Sequence, residues 1–119
     1  MGYRSEVTIA LHSSILPKFL DLLCTNPEVK DLVLEYRDEY RTFDLHDKSK
    51  DHLVVQWNSI KWYKGYEPID SIQGFLHDQD EDHYRFVRTG EEGGDIDEEG
   101  GFCSDAIYAY TENVMECGV

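Results

Sequence analysis

Positive charge is scarce in this chain. Eleven Lys and Arg stand against 25 Asp and Glu in 119 residues, a formal net charge of -14. A field of that sign repels DNA, RNA and anionic membrane surfaces, so direct nucleic-acid and membrane partners are not expected. The three cysteines, Cys24, Cys103 and Cys117, form no C-x-x-C pair, which argues against a disulfide framework or a zinc module. No stretch approaches 18 apolar residues, and the N-terminus lacks a basic region followed by an apolar run. These absences point to a soluble protein of the cytoplasm.

Catalytic and ligand signatures are also missing. The histidines, His12, His46, His52, His77 and His83, show no metal-ligand spacing among themselves or with the cysteines. Cys103, in GGFCSD, follows an acidic run, whereas a reactive thiolate needs an electropositive setting. The glycines of residues 90 to 101 alternate with carboxylates that would repel phosphate, and no Lys-Ser/Thr follows them. Asp95, Asp97, Glu99 and Gly100 resemble the first half of a calcium loop, but the twelfth position counted from Asp95 is Ala106 instead of a bidentate Glu. No cofactor, metal or enzymatic activity is expected.

What is present is core material: 40% of residues are apolar and 13% aromatic. That is enough to fold a single domain spanning residues 1–119. In SEVTIALH, Val7, Ile9 and Leu11 alternate with Glu6, Thr8 and Ala10 as in a half-buried strand. A first helix follows, capped by Ser13 or Ser14, with Pro17 in its first turn and a stripe of Ile15, Leu16, Phe19, Leu20 and Leu23 ending near Cys24. Asn26, Pro27 and Glu28 open a second helix, in which Val29, Leu32, Val33, Tyr36, Tyr40 and Phe43 recur at helical spacing.

HLVVQWNSIKWYK has strand composition, but its phase changes after Trp57. A bulge or tight turn is therefore expected at Asn58-Ser59, with Trp57 and Trp62 pointing apart. Glu67-Pro68 opens a third helix, with Ile69, Ile72, Phe75 and Leu76 inward and its end near His77. HYRFVRT and AIYAYTENVM read as an antiparallel pair joined by a long acidic, glycine-rich loop at about residues 90–101. The fold class implied is α+β, a two-layer sandwich with a mainly antiparallel sheet and about three helices on one face.

Charge is unevenly placed. Residues 1–60 carry 7 Lys/Arg and 10 Asp/Glu, and residues 61–119 carry 4 and 15. The acidity concentrates in HDQDED and GEEGGDIDEEGG, so the candidate partner-binding residues are Asp78, Asp80, Glu81, Asp82, Glu91, Glu92, Asp95, Asp97, Glu98 and Glu99. Carboxylates ranked on a folded scaffold can imitate nucleic-acid charge and draw a basic protein surface. An alternative ligand patch, for a nucleotide or other small molecule, comprises Trp57, Lys61, Trp62, Lys64, Arg85 and Arg88, since rings interleaved with cations form stacking platforms. A further alternative is a self-associating accessory protein whose WNSIKWY strand pairs edge to edge in a homodimer.

The strings GYRSEVTIAL, SIKWYKGY and FLHDQDEDHYRFVRTGE, running into an Asp/Glu-Gly stretch, resemble a group of small acidic proteins encoded by tailed bacteriophages and prophages. The resemblance spans most of the chain but carries no activity and no site residues. It implies a bacteriophage accessory protein in the cytoplasm of a bacterial host, a setting rich in small inhibitors of host defence or host enzymes. The expected function is non-enzymatic inhibition of a basic host protein, of defence or nucleic-acid processing, by an acidic surface.

Overall fold

A computed structural model describes residues 2–43, 52–102, 104, 107–109 and 113–115. The LHDKSKD segment up to its last Asp51, Cys103, Ala106 and the end of the ENVMECGV tail lie outside the described residues.

The protein is α+β. Strands β1 (Ser5–Leu11), β2 (Glu39–Phe43), β3 (His52–Ile60), β4 (Tyr84–Gly90) and β5 (Ile96–Glu99) form one antiparallel sheet in the order β2-β3-β1-β4-β5. Helices α1 (Leu16–Thr25), α2 (Pro27–Leu34) and α3 (Glu67–His77) pack on one face. A two-stranded antiparallel sheet, β6 (Ile107–Ala109) and β7 (Asn113–Met115), lies against β1 and β4 from the other. That second cover explains why β1 is buried on both faces. Val7, Ile9 and Leu11 meet the helices, while Thr8 and Ala10 are equally closed on the side where Ile107 is fully buried.

Helix starts and stops follow local chemistry. Asn26 caps α2 as expected, its side-chain oxygen accepting from the Val29 N–H, with Pro27 in the first turn. α1, by contrast, has Ile15 as its cap residue and no side-chain cap. The Ser13 and Ser14 N–H groups donate instead to the Nδ1 atoms of His52 and His12. α3 also lacks a side-chain cap and is held by burial of Ile69, Ile72 and Leu76, each contributing about 1.5–3 kcal/mol. Glu67 and Asp70 in its first turn favour the positive end of the helix dipole.

Three expectations are corrected. The second helix stops at Leu34, and Tyr40 and Phe43 fall in β2. The Arg37 guanidinium turns back onto the Val33 and Leu34 carbonyls, closing the helix end, and the Asp38 N–H then pairs with the Gln56 carbonyl of β3. Trp57 and Trp62 do not point apart. The register slips from Val7↔Trp57 to Ser5↔Ile60, so β3 carries one extra residue against β1, and the two rings meet with centroids 5.6 Å apart. Third, HYRFVRT does not pair with AIYAYTENVM. β4 pairs with β5, a strand inside the acidic segment, and β6 and β7 pair with each other.

Candidate functional site

GEEGGDIDEEGG is therefore the second arm and tip of a hairpin, in place of the expected loop. Arg88 stands opposite Asp97 and Val87 opposite Glu98. Arg88 donates from Nε to Asp97 at 2.7 Å, from its terminal nitrogens to Asp95 at 2.6 Å, and to Ser5 Oγ at 2.9 Å. On the other face Arg85, only 7% exposed, donates to the Gly100 carbonyl at 2.8 Å, the Ile107 carbonyl at 3.0 Å and the Glu98 carboxylate. Two arginines on opposite faces of β4 thus hold an acidic strand whose glycine and carboxylate content disfavours strand formation.

The hairpin tip is tied to the N-terminus. The Tyr3 hydroxyl donates to Asp95 at 2.5 Å and accepts from the Glu92 N–H at 2.9 Å, and the Arg4 N–H donates to Glu91. The Arg88 guanidinium, helped by the Tyr3 hydroxyl, holds the Asp95 carboxyl below its ordinary value. Its hydrogen bond to Asp95 in turn raises Tyr3, and the same carboxylate raises Arg88. Tyr3 and Arg4 had no signal in sequence beyond their polarity, because their partners lie about ninety residues away.

At its far end the hairpin meets the other acidic segment. The Gly101 N–H donates to the Glu81 carbonyl at 2.7 Å, and His77 Nε2 lies 2.9 Å from Glu99. A single 3₁₀ turn at Glu81–His83 is opened by Asp80, whose carboxylate accepts from the Asp82 N–H. The ten carboxylates expected to bind a partner therefore divide in two. Asp78, Asp80, Glu81, Asp82, Glu91 and Glu92 are exposed at the two ends of the hairpin. Asp95, Asp97, Glu98 and Glu99 are ion-paired to Arg88, Arg85 or His77, while Asp97 and Glu98 remain exposed as well. Among the described residues no group of three His, Cys, Asp or Glu is arranged to hold a metal ion.

The alternative ligand patch is not an open platform. Trp57 is 1% exposed and donates its Nε1 hydrogen to the Leu32 carbonyl, and Trp62 packs between Trp57 and Phe86. Arg85 and Arg88 are committed as above, leaving Lys61 and Lys64 exposed. β2 flanks β3 only from His52 to Gln56, so the WNSIKWY stretch runs on past it, with Asn58 and Ser59 exposed. Beside it a cleft of about 540 Å³ is lined by Arg4, Tyr36, Lys61, Tyr63 and Tyr66 over Leu32 and Ile60.

A second cleft, about 860 Å³, lies between α3 and the β4-β5 hairpin. Trp62, Tyr63, Ile69 and Phe86 supply its apolar surface, and Lys64, Asp70, Gln73, His77, Arg88, Asp95, Asp97 and Glu99 its polar surface. Trp62 Nε1 and Gln73 Oε1 are buried there with no hydrogen-bond partner among the described residues.

One cluster had no visible spacing in the sequence. His12 follows β1, His52 begins β3 and His83 precedes β4, and antiparallel order brings these three ends together. The His12 ring lies 4.7 Å from His52, 5.2 Å from His83 and 5.4 Å from Phe102. The His12 and His52 Nδ1 atoms both accept backbone N–H bonds, so the ring hydrogen of each neutral imidazole sits on Nε2. Among the described residues no helix is long and apolar enough to cross a membrane. No protein-family model, curated protein or solved structure matches this chain.

Proposed function

We propose that this protein is a non-enzymatic binding protein whose acidic sheet edge covers a basic surface of a partner protein. The observation that carries the reading is the hairpin held by Arg85 and Arg88, which presents exposed carboxylates at both of its ends. Asp78, Asp80, Glu81 and Asp82 adjoin one end, and Glu91 and Glu92 form the other. Five residue steps separate Asp95 from Gly100, on the order of 15 Å, the axial length of about four or five phosphates of one DNA strand. Charge spaced in this way attracts Lys/Arg grooves at long range and gives a strongly salt-dependent association.

In the bacteriophage setting that the resemblance implies, the partner is a basic surface of a host defence or nucleic-acid-processing protein, and the outcome is inhibition. The test is capture of bacterial host proteins by the full chain at two salt concentrations, repeated with Asp78→Asn, Asp80→Asn, Glu81→Gln, Asp82→Asn, Glu91→Gln and Glu92→Gln combined. A basic partner, lost at high salt and lost on neutralisation, is the expected result. Capture that survives both would falsify the reading.

A further inference from the structure

We propose that the cleft between α3 and the β4-β5 hairpin binds an extended basic peptide segment, with an Arg or Lys side chain seated over Trp62 and Tyr63. This rests on the reading above and names the part of the partner that enters the protein.

The unpartnered atoms define what is missing. Trp62 is 9% exposed, and its indole N–H needs an acceptor, while Gln73 Oε1 needs a donor. A buried polar atom left unpaired is costly, and a ligand carrying both functions recovers that cost. A peptide amide carries both. Neither atom touches solvent in the free protein, so binding includes side-chain rotation at the mouth, a change common at interfaces.

Charge sets the sign of the ligand. Asp70, Asp95, Asp97 and Glu99 outnumber Lys64 and Arg88 around the cleft. Arg88 is engaged by Asp95, Asp97 and Ser5, so it has little to offer an anion such as a nucleotide phosphate. Asp97, with its side chain 55% exposed, bonds Arg88 through one oxygen, and Glu99 meets His77 through one oxygen. Two residues apart on β5, they share a face and keep their other oxygens for an incoming donor. An aromatic floor beneath two carboxylates suits a guanidinium or ammonium group. A free cation, however, has no acceptor for the Trp62 N–H, and the peptide carbonyl supplies it.

The test follows the two indole N–H signals of the full chain in ¹H–¹⁵N spectra. Probes are an N-acetylated, C-amidated Gly-Arg-Gly-Arg-Gly peptide, methylguanidinium and ATP. The peptide is expected to shift the Trp62 signal saturably while that of Trp57, bonded within the core, stays put. Methylguanidinium should bind more weakly without the hydrogen-bond shift, and ATP should do nothing. Glu99→Gln, which leaves both Arg88 ion pairs intact, and Gln73→Leu should each weaken the peptide about tenfold, the loss of one hydrogen bond involving a charged or buried group. A peptide that binds without moving Trp62, a peptide that does not bind, or a Trp62 shift produced by ATP overturns the proposal. The first of these leaves the acidic-edge reading standing. A saturable Trp62 shift alongside partner capture indifferent to salt and neutralisation sinks the acidic-edge reading and spares the cleft.

Discussion

Replacing Arg85 by leucine removes one side chain that joins three parts of the protein. Its Nε donates to the Ile107 carbonyl at 3.0 Å, one terminal nitrogen to the Gly100 carbonyl at 2.8 Å, and the other to Glu98. A hydrogen bond from a charged donor contributes about 1.5–3 kcal/mol, so the two carbonyl bonds together are worth roughly 3–6 kcal/mol. The Glu98 pair adds little, because that carboxylate is 36% exposed and solvent screens it. Leucine returns about 2 kcal/mol of apolar burial. The net loss is about 3 kcal/mol, or roughly 10 °C in Tm for a chain of this size. Thermal and urea denaturation followed by circular dichroism measure it, and hydrogen exchange should show the Gly101 and Phe102 amides opening first. Arg85→Lys should fall between, since one ammonium cannot span three acceptors in a fixed fork. A loss below about 1 kcal/mol for Arg85→Leu would mean that water reaches both carbonyls and that β6 is held by something else.

Further outcomes are expected. Gly100 has φ +81, and an added Cβ would lie 2.1 Å from the Tyr84 carbonyl oxygen, so Gly100→Ala should cost about 3 kcal/mol in a denaturant melt. Gly93→Ala, facing open space, should change stability by less than about 0.5 kcal/mol. Tyr3 and Asp95 give the hairpin tip a pH window: stability from the lowered Asp95 is present above the ordinary carboxyl value and lost as pH falls through its folded value, and that from the raised Tyr3 is present below 10.0 and lost as pH rises through its folded value. Asp95→Asn should return the Tyr3 phenol toward 10.0 in an ultraviolet titration, and an unchanged Tyr3 would break the link. Asn26→Ala removes the α2 cap and the contacts of the same side chain with Glu67 and Ser71, and should cost about 1 kcal/mol by thermal melt.

Much of the fold was legible because it rests on local pattern. α3 lies where Glu67-Pro68 and the stripe of Ile69, Ile72 and Leu76 place it, and Asn26 caps α2 as its position suggests. Failures came where distant partners outweighed local preference. Tyr36, Tyr40 and Phe43 fit helical spacing, but the segment Glu39–Phe43 also reads as a strand and found a free flank of β3. Ile96–Glu99 has poor strand propensity, and it pairs with β4 where Arg85 bonds Glu98 and Arg88 bonds Asp97. The same pairing hid part of the site: composition shows ten candidate carboxylates, yet which are exposed and which are internally bonded depends on strand register. The gathering of His12, His52 and His83 has the same cause.

The extra residue in β3 sets a parity. With the bulge, Trp57, Ile60 and Trp62 all enter the core; the same sequence held in strict alternation would send Ile60 and Trp62 to the solvent side and leave Phe86 without its indole neighbour. Deleting the exposed Asn58 would leave Ser59 alone between Trp57 and Ile60, two steps apart as strict alternation requires, so both side chains would still enter the core in a regular strand. At the present length it is the bulge that keeps Trp62 in the floor of the 860 Å³ cleft. Four residues lie between Trp57 and Trp62, an even count that would set the two rings on opposite faces of a regular strand, so the local backbone irregularity and not the spacing places both in the core.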